Sequence, residues 1–176
     1  MISQQPSVRA VHRSGGGTGR RGRRAPRILL SALALACLAA APAARADCFD
    51  DAALYHHVNP LILRAIAMVE SNDTPSAVNH NTNGSYDLGE MQINSTHLPE
   101  LEHYGMTSGD LFDSCKSIYT GAWILRRMMD KYGNTWDAIG AYNSSTPYYR
   151  DRYAAKVQAA VRKLLAAGYG APGAPR

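Results

Sequence analysis

Two carboxylates carry the first chemical signal in this sequence. Glu70 closes an apolar stretch, directly after Met68 and Val69, and Asp87 follows seventeen residues later, just past the dipeptide Asn83-Gly84. At the C-terminal end of an apolar helix a carboxylate is disfavoured twice, by loss of water and by the negative pole of the helix, and both effects raise its pKa. A carboxylic acid still protonated near neutral pH is what general acid catalysis requires. If the segment bearing Asp87 folds back on the helix end, two carboxylates face one cleft, the arrangement used to cleave glycosidic bonds. Each residue also has a plainer reading: Glu70 points into solvent, and Asp87 satisfies turn N–H groups beside Asn-Gly. The residues alone leave both open.

Other candidate groups point to structure instead. His56 and His57 are adjacent, so on a helix they diverge by about 100° and cannot chelate together. His80, His97 and His103 lack metal-ligand spacing, and no metal or cofactor is expected. Trp123 and Trp136 lie in apolar helical stripes and read as core, and Arg126-Arg127 reads as a solvated face. No phosphate loop, exposed nucleophilic serine motif or nucleic-acid module is visible.

Helices must position the two acids. Asn59-Pro60 is a cap followed by proline in the first turn, and Ile62, Leu63, Ile66 and Val69 recur at helical spacing until Ser71-Asn72-Asp73-Thr74-Pro75 stops the run. A second helix starts near Ser114, with Ile118, Ala122, Leu125 and Met129 in a stripe, and ends at Gly133. Thr135 caps a short helix through Tyr142. Thr146-Pro147 opens a long one with Tyr149, Tyr153, Val157, Val161 and Leu164 or Leu165 facing in. Between the first two helices, residues 79–95 have no helical period, and Asn83-Gly84 predicts a type I′ hairpin turn. The expectation is a mainly α domain with one small β-hairpin.

The charge balance sorts into two parts. The chain carries 19 Lys and Arg against 14 Asp and Glu, but residues 1–46 hold eight of the arginines and no acid. The remaining 130 residues are therefore mildly acidic, which argues against a nucleic-acid partner. All ten tyrosines lie in that part, which has the means to build a packed core. Residues 28–41 are an apolar run of fourteen behind an arginine cluster, followed by Pro42 and Ala44-Arg45-Ala46. This is the pattern of a secretory signal peptide cleaved after Ala46. It is shorter than the about twenty residues of a membrane span. Arg23-Arg24 leaves the twin-arginine route open. Cys37 falls in the leader, where Ala34 replaces the leucine of a lipobox. Cys48 and Cys115 remain, an even pair in an exported chain, and a disulfide between them is favoured over a nucleophilic or metal-binding cysteine. One domain is expected over residues 47–167, with a frayed tail at 168–176.

Glu70-Ser71, then Gly89-Glu90-Met91-Gln92-Ile93-Asn94, then Ala141-Tyr142-Asn143 resemble, in order and spacing, the motifs of the soluble lytic transglycosylases. Within them the chain is similar to the small exported proteins that accompany type III and type IV secretion systems, the IagB/IpgF invasion-protein group. The resemblance covers about residues 48–165 and includes both cysteines, Gly121-Ala122-Trp123-Ile124-Leu125 and Trp136-Asp137-Ala138-Ile139-Gly140. The hairpin segment also resembles animal c-type lysozymes, whose two carboxylates share the seventeen-residue separation.

The resemblance implies a lysozyme-like fold and cleavage of the β-1,4 bond between N-acetylmuramic acid and N-acetylglucosamine in peptidoglycan, yielding a 1,6-anhydro sugar. Carried over by position, Glu70 is acid and base and Ser71 helps orient it. Met91, Gln92 and Asn94 line the saccharide subsites, and Tyr142 with Asn143 closes the cleft, Tyr142 hydrogen-bonding Glu70. The implied setting is the bacterial periplasm, the implied partners are glycan strands and secretion-apparatus components, and a monomer is expected. Two departures stand out: position 90 is Glu where the family carries Leu, here read as pointing away from Glu70, and Ser144-Ser145 replace a small Ala-Gly pair. Two rivals are a hydrolysing muramidase, if Asp87 reaches the cleft, and a non-catalytic wall-binding assembly factor.

Overall fold

Local capping chemistry sets most of the helix boundaries in the computed structural model, which describes residues 47–170. The predicted leader and the final six residues lie outside the described residues. Helix α1 (Cys48–His56) starts where the Asp47 carboxylate accepts from Phe49 N at 2.9 Å. Helix α2 (Pro60–Glu70) starts as predicted, with Asn59 Oδ1 accepting from the N–H groups of Leu61 and Ile62. A short α3 (Leu98–Glu102) precedes α4 (Ser114–Tyr132), which Asp113 caps and Gly133 ends. Thr135 Oγ1 caps α5 (Trp136–Ala141), and Thr146-Pro147 opens α6 (Pro147–Ala166).

The predicted hairpin is present and acquires a third strand. Strands β1 (Val78–His80), β2 (Tyr86–Leu88) and β3 (Ile93–Asn94) form an antiparallel sheet in that order. Asn79 pairs with Asp87, and Asp87 with Asn94. The turn differs from the predicted type I′. Among the residues of the turn only Gly84 has positive φ, at 84°, and Asn81 N donates to Ser85 O at 2.8 Å, leaving a three-residue loop. A loop of that length needs one left-handed residue, not two.

Packing of helix on helix builds the core. Helix α1 lies on α4, α2 on α6, and α5 on both α4 and α6. Leu63, Ile66, Met91, Ile93, Leu111, Ile118, Leu125 and Val157 are all under 2% exposed. Burying an aliphatic side chain of this kind stabilises by roughly 1.5–3 kcal/mol, so the faces of α2, α4 and α6 that meet here are firmly held. The Cys48–Cys115 disulfide joins the first residue of α1 to the first turn of α4, with Cα atoms 5.3 Å apart.

Two expectations about side-chain placement are corrected. Trp136 is 41% exposed at the first position of α5, and Tyr149 is 59% exposed where it lines an open cavity. Residues 168–170, the described part of the predicted tail, form a turn: Gly168 adopts φ 92° and Tyr169 N donates back to Leu164 O at 3.0 Å. That is the usual way a helix C-terminus satisfies its last carbonyls.

Candidate active site

Three elements bring Glu70 to its setting. As the last residue of α2 it emerges from the core; β2 and the loop after it flank it; and α6 packs alongside. The carboxyl accepts a hydrogen bond from the Tyr153 hydroxyl, contributed by α6 from 83 residues away. Burial pushes the Glu70 pKa up to about 7, and the charge of Asp87 adds to the rise, while the Tyr153 hydrogen bond and the charge of Lys156 oppose it. Desolvation is the main cause, as the sequence position implied. Glu70 therefore exchanges a proton near neutral pH.

Asp87 faces the cleft, and its hydrogen bonds come from side-chain amides, not from the turn N–H groups of the plainer reading. Its oxygens accept from Asn94 Nδ2 at 2.6 Å, Asn81 Nδ2 at 2.9 Å and Asn79 Nδ2 at 3.3 Å. It also lines, together with Glu70, a cavity of about 810 Å³ whose other walls include Asn81, Asn94, Asn143 and Tyr149. The two carboxylates thus face one cleft, and three amides hold the aspartate within it.

The remaining predicted residues divide. Gln92, Asn94, Tyr142 and Asn143 line the cavity. Met91 does not: it is fully buried against Gly121, where an added Cβ would meet Met91 Cε at 2.6 Å and Met91 Cβ at 3.0 Å. Its contribution is the backbone carbonyl, which accepts from the Tyr142 hydroxyl at 2.9 Å. Tyr142 accordingly does not hydrogen-bond Glu70. Its ring stacks beside that of Tyr153, with centroids 6.4 Å apart and planes 16° from parallel. Ser71 does not hydrogen-bond Glu70 either. Its hydroxyl donates to Glu90 O at 2.7 Å and accepts from Thr74 N at 2.9 Å, so it ties the end of α2 to the loop after β2.

Tyr153 is the residue whose role at the site sequence reasoning missed. Helical spacing marked it as core, and it is buried, but a buried phenol needs a partner for its hydroxyl. A tyrosine in an otherwise apolar stripe, facing a helix that ends in glutamate, was the available signal.

A family model described as "Transglycosylase SLT domain" matches residues 47–163. This chain belongs to that family. Among its relatives, "Invasion protein IagB" of Salmonella typhimurium is 44% identical over 124 residues, which span 68% of this chain and 78% of the relative. "Protein IpgF" of Shigella flexneri is 43% identical over 103 residues, 58% of this chain and 68% of the relative. "X polypeptide" of Escherichia coli is 42% identical over 99 residues, 56% and 59% respectively.

Two features of this SLT domain act through the loop that follows β2. Gly89 has φ 75°, and a Cβ there would stand 1.9 Å from the Leu111 carbonyl oxygen, so only glycine permits the loop to pass this close. Next to it Glu90 points away from Glu70, as expected, but into the protein. It is 4% exposed and accepts from the Ser114 hydroxyl at the start of α4. Burial raises its pKa, the Ser114 hydrogen bond opposes the rise, and Asp73 and Asp47 add to it.

Proposed function

We propose that the protein is a peptidoglycan lytic transglycosylase that cleaves the β-1,4 bond between N-acetylmuramic acid and N-acetylglucosamine. Glu70 carries the reading: a buried, hydrogen-bonded carboxyl with pKa about 7, lining a groove rich in amide and hydroxyl groups. In its protonated form Glu70 gives its proton to the glycosidic oxygen as the C1–O bond breaks, while the muramyl N-acetyl group supports the cationic centre. The resulting carboxylate then takes the proton of the muramyl C6 hydroxyl as O6 bonds to C1. A 1,6-anhydro sugar forms, no water is consumed, and Glu70 regains its proton. A pKa near the working pH suits a group that must serve as acid and then as base. Gln92, Asn94, Tyr142 and Asn143 bind the saccharide, and Tyr153 orients the glutamate.

The biological reading follows from the same family. Residues 1–46 act as a leader removed after Ala46, residues 47–167 form the catalytic domain, and the enzyme works as a monomer in the periplasm. Formation of the Cys48–Cys115 disulfide suits that compartment, and no described helix is long and apolar enough to cross a membrane. The relative named an invasion protein supports a role in opening the wall locally for a secretion apparatus.

Mass spectrometry of digested peptidoglycan tests the reaction. The expected products are anhydromuropeptides, each lighter by one water than a hydrolysis product. A purely hydrolytic product set would instead support a muramidase, the reading favoured by the presence of Asp87 in the same cavity. Glu70→Gln should lower turnover about 1,000-fold, within the range for loss of a general acid. Wall clearance undiminished by this substitution would remove Glu70 as acid and base, and absence of clearance by the wild-type protein would leave it a binding or assembly factor.

A further inference from the structure

We propose that the groove continues past Glu70 into a subsite for a carboxylate carried on the saccharide, formed by Arg152 and Lys156. The inference rests on the glycan-cleaving reading above and concerns which glycan the site prefers.

Tyr149, Arg152, Tyr153 and Lys156 are spaced three, one and three residues apart, so they share one face of α6. On that face Tyr153 is buried and reaches Glu70, while Arg152 and Lys156 stay exposed at the rim. They line a second cavity, of about 310 Å³, together with Glu70, Asn143 and Tyr149. The same three residues also line the larger cavity, so the two spaces adjoin around one carboxyl.

Their chemistry differs. The larger cavity has amides, hydroxyls and Asp87 but no lysine or arginine, which suits a neutral saccharide. The smaller one has two cations and, apart from Glu70, no acid. Among the described residues Arg64, Arg126, Arg127, Arg150 and Lys116 each have a carboxylate partner; Arg152, Lys156, Lys131, Arg162 and Lys163 have none, and of these five only Arg152 and Lys156 line this cavity. Arg152 is nevertheless held in place: Nη1 donates to the Tyr148 hydroxyl at 2.6 Å, and the guanidinium lies 5.2 Å from the centre of that ring. Its other N–H groups are left for an anion, the geometry in which arginine binds carboxylates. With Glu70 protonated, as its role as acid requires, the cavity is a net positive pocket directly beside the bond to be cleaved. A saccharide without substituents offers nothing to these cations. A wall glycan carries carboxylates on its peptide substituent or, once that is removed, on the lactyl group that bore it.

Steady-state kinetics on three glycan preparations tests this: peptide-bearing strands, the same strands with every peptide carboxylate amidated, and strands stripped of peptide so that the lactyl carboxylates are free. The wild-type enzyme is expected to show a KM about tenfold lower for a carboxylate-bearing preparation than for the amidated one, the size expected of two charge-assisted contacts at an exposed rim. Whichever preparation has the lower KM identifies the carboxylate as peptide or lactyl. The advantage should shrink as salt is raised. In Arg152→Gln/Lys156→Gln, with the fold checked by circular dichroism, the KM ratio should fall close to one. Arg152→Glu/Lys156→Glu should invert it in favour of amidated strands. Wild-type cleavage of all three preparations with equal KM, or a ratio unchanged in the double variants, overturns the subsite and leaves the proposed reaction standing. Failure of the wild-type enzyme to cleave any of them overturns both.

Discussion

In the proposed reaction the proton of Glu70 sits at the centre of the chemistry, and its neighbours set when it leaves. As a general acid Glu70 must be protonated, so turnover should decline as pH rises through about 7, the value to which burial lifts it. Asp87 adds to that rise, so Asp87→Asn should move the alkaline limb of the pH–rate profile to lower pH. Tyr153 acts in the opposite sense, because its hydrogen bond favours the ionised form. Tyr153→Phe should shift the same limb to higher pH and lower kcat by up to about 100-fold through loss of orientation. A fall in kcat with an unmoved limb would mean that Tyr153 only packs. The raised pKa of Glu70 was legible in the sequence, since an acid ending an apolar helix is placed there by the chain itself. Its hydrogen-bond donor was not, because helical periodicity distinguishes buried from exposed faces and does not say which buried hydroxyl meets which carboxyl.

At the scale of elements, the loop following β2 links the sheet, the end of α2 and the start of α4. Ser71 holds its backbone from one side, Tyr142 from another, and Glu90 reaches Ser114 from within it. Glu90 has no cationic partner at hydrogen-bonding distance among the described residues, and its burial makes the anion costly. Its folded pKa lies above the ordinary 4.5, so stability is fully present below that value and is lost as pH rises through the folded one. Glu90→Gln removes this titration. It should raise Tm by a few degrees at neutral pH and leave it nearly unchanged below pH 4.5, as measured by thermal melts across pH. An equal gain at both extremes would point to packing instead. The four predicted helices were legible because their start signals are local: Asn59, Asp113 and Thr135 each cap within one turn, and Pro147 occupies the first turn of α6. The third strand was not, because Ile93 and Asn94 are too short to show a period and are defined only by pairing with β2.

For the whole molecule, the disulfide closes a loop of 67 residues and restricts the unfolded chain. Cys48→Ala/Cys115→Ala should lower the unfolding free energy by roughly 4 kcal/mol in the chain-entropy view, read from urea denaturation of oxidised wild type against the variant. A loss much smaller than this would mean that α1 and α4 already hold each other in the unfolded ensemble. Charge acts at the same scale: the basic excess lies in residues 1–46 and the remainder is mildly acidic, so in the proposed function the glycan is held through a cleft rather than by a general attraction to anions. Composition, capping residues and motif order were enough to determine a mainly helical domain, the starts of four of its six described α-helices, the cysteine pair and the two carboxylates worth examining; α1 and α3 were not foreseen. These properties depend on residues close together in the chain or on simple counts. Only the tertiary structure decided that Met91 is core, that Tyr153 rather than Tyr142 serves Glu70, and that Arg152 and Lys156 stand beside the same carboxyl. Each of those depends on how α2, the sheet and α6 pack, and contacts between segments up to 83 residues apart leave no periodic trace in either one.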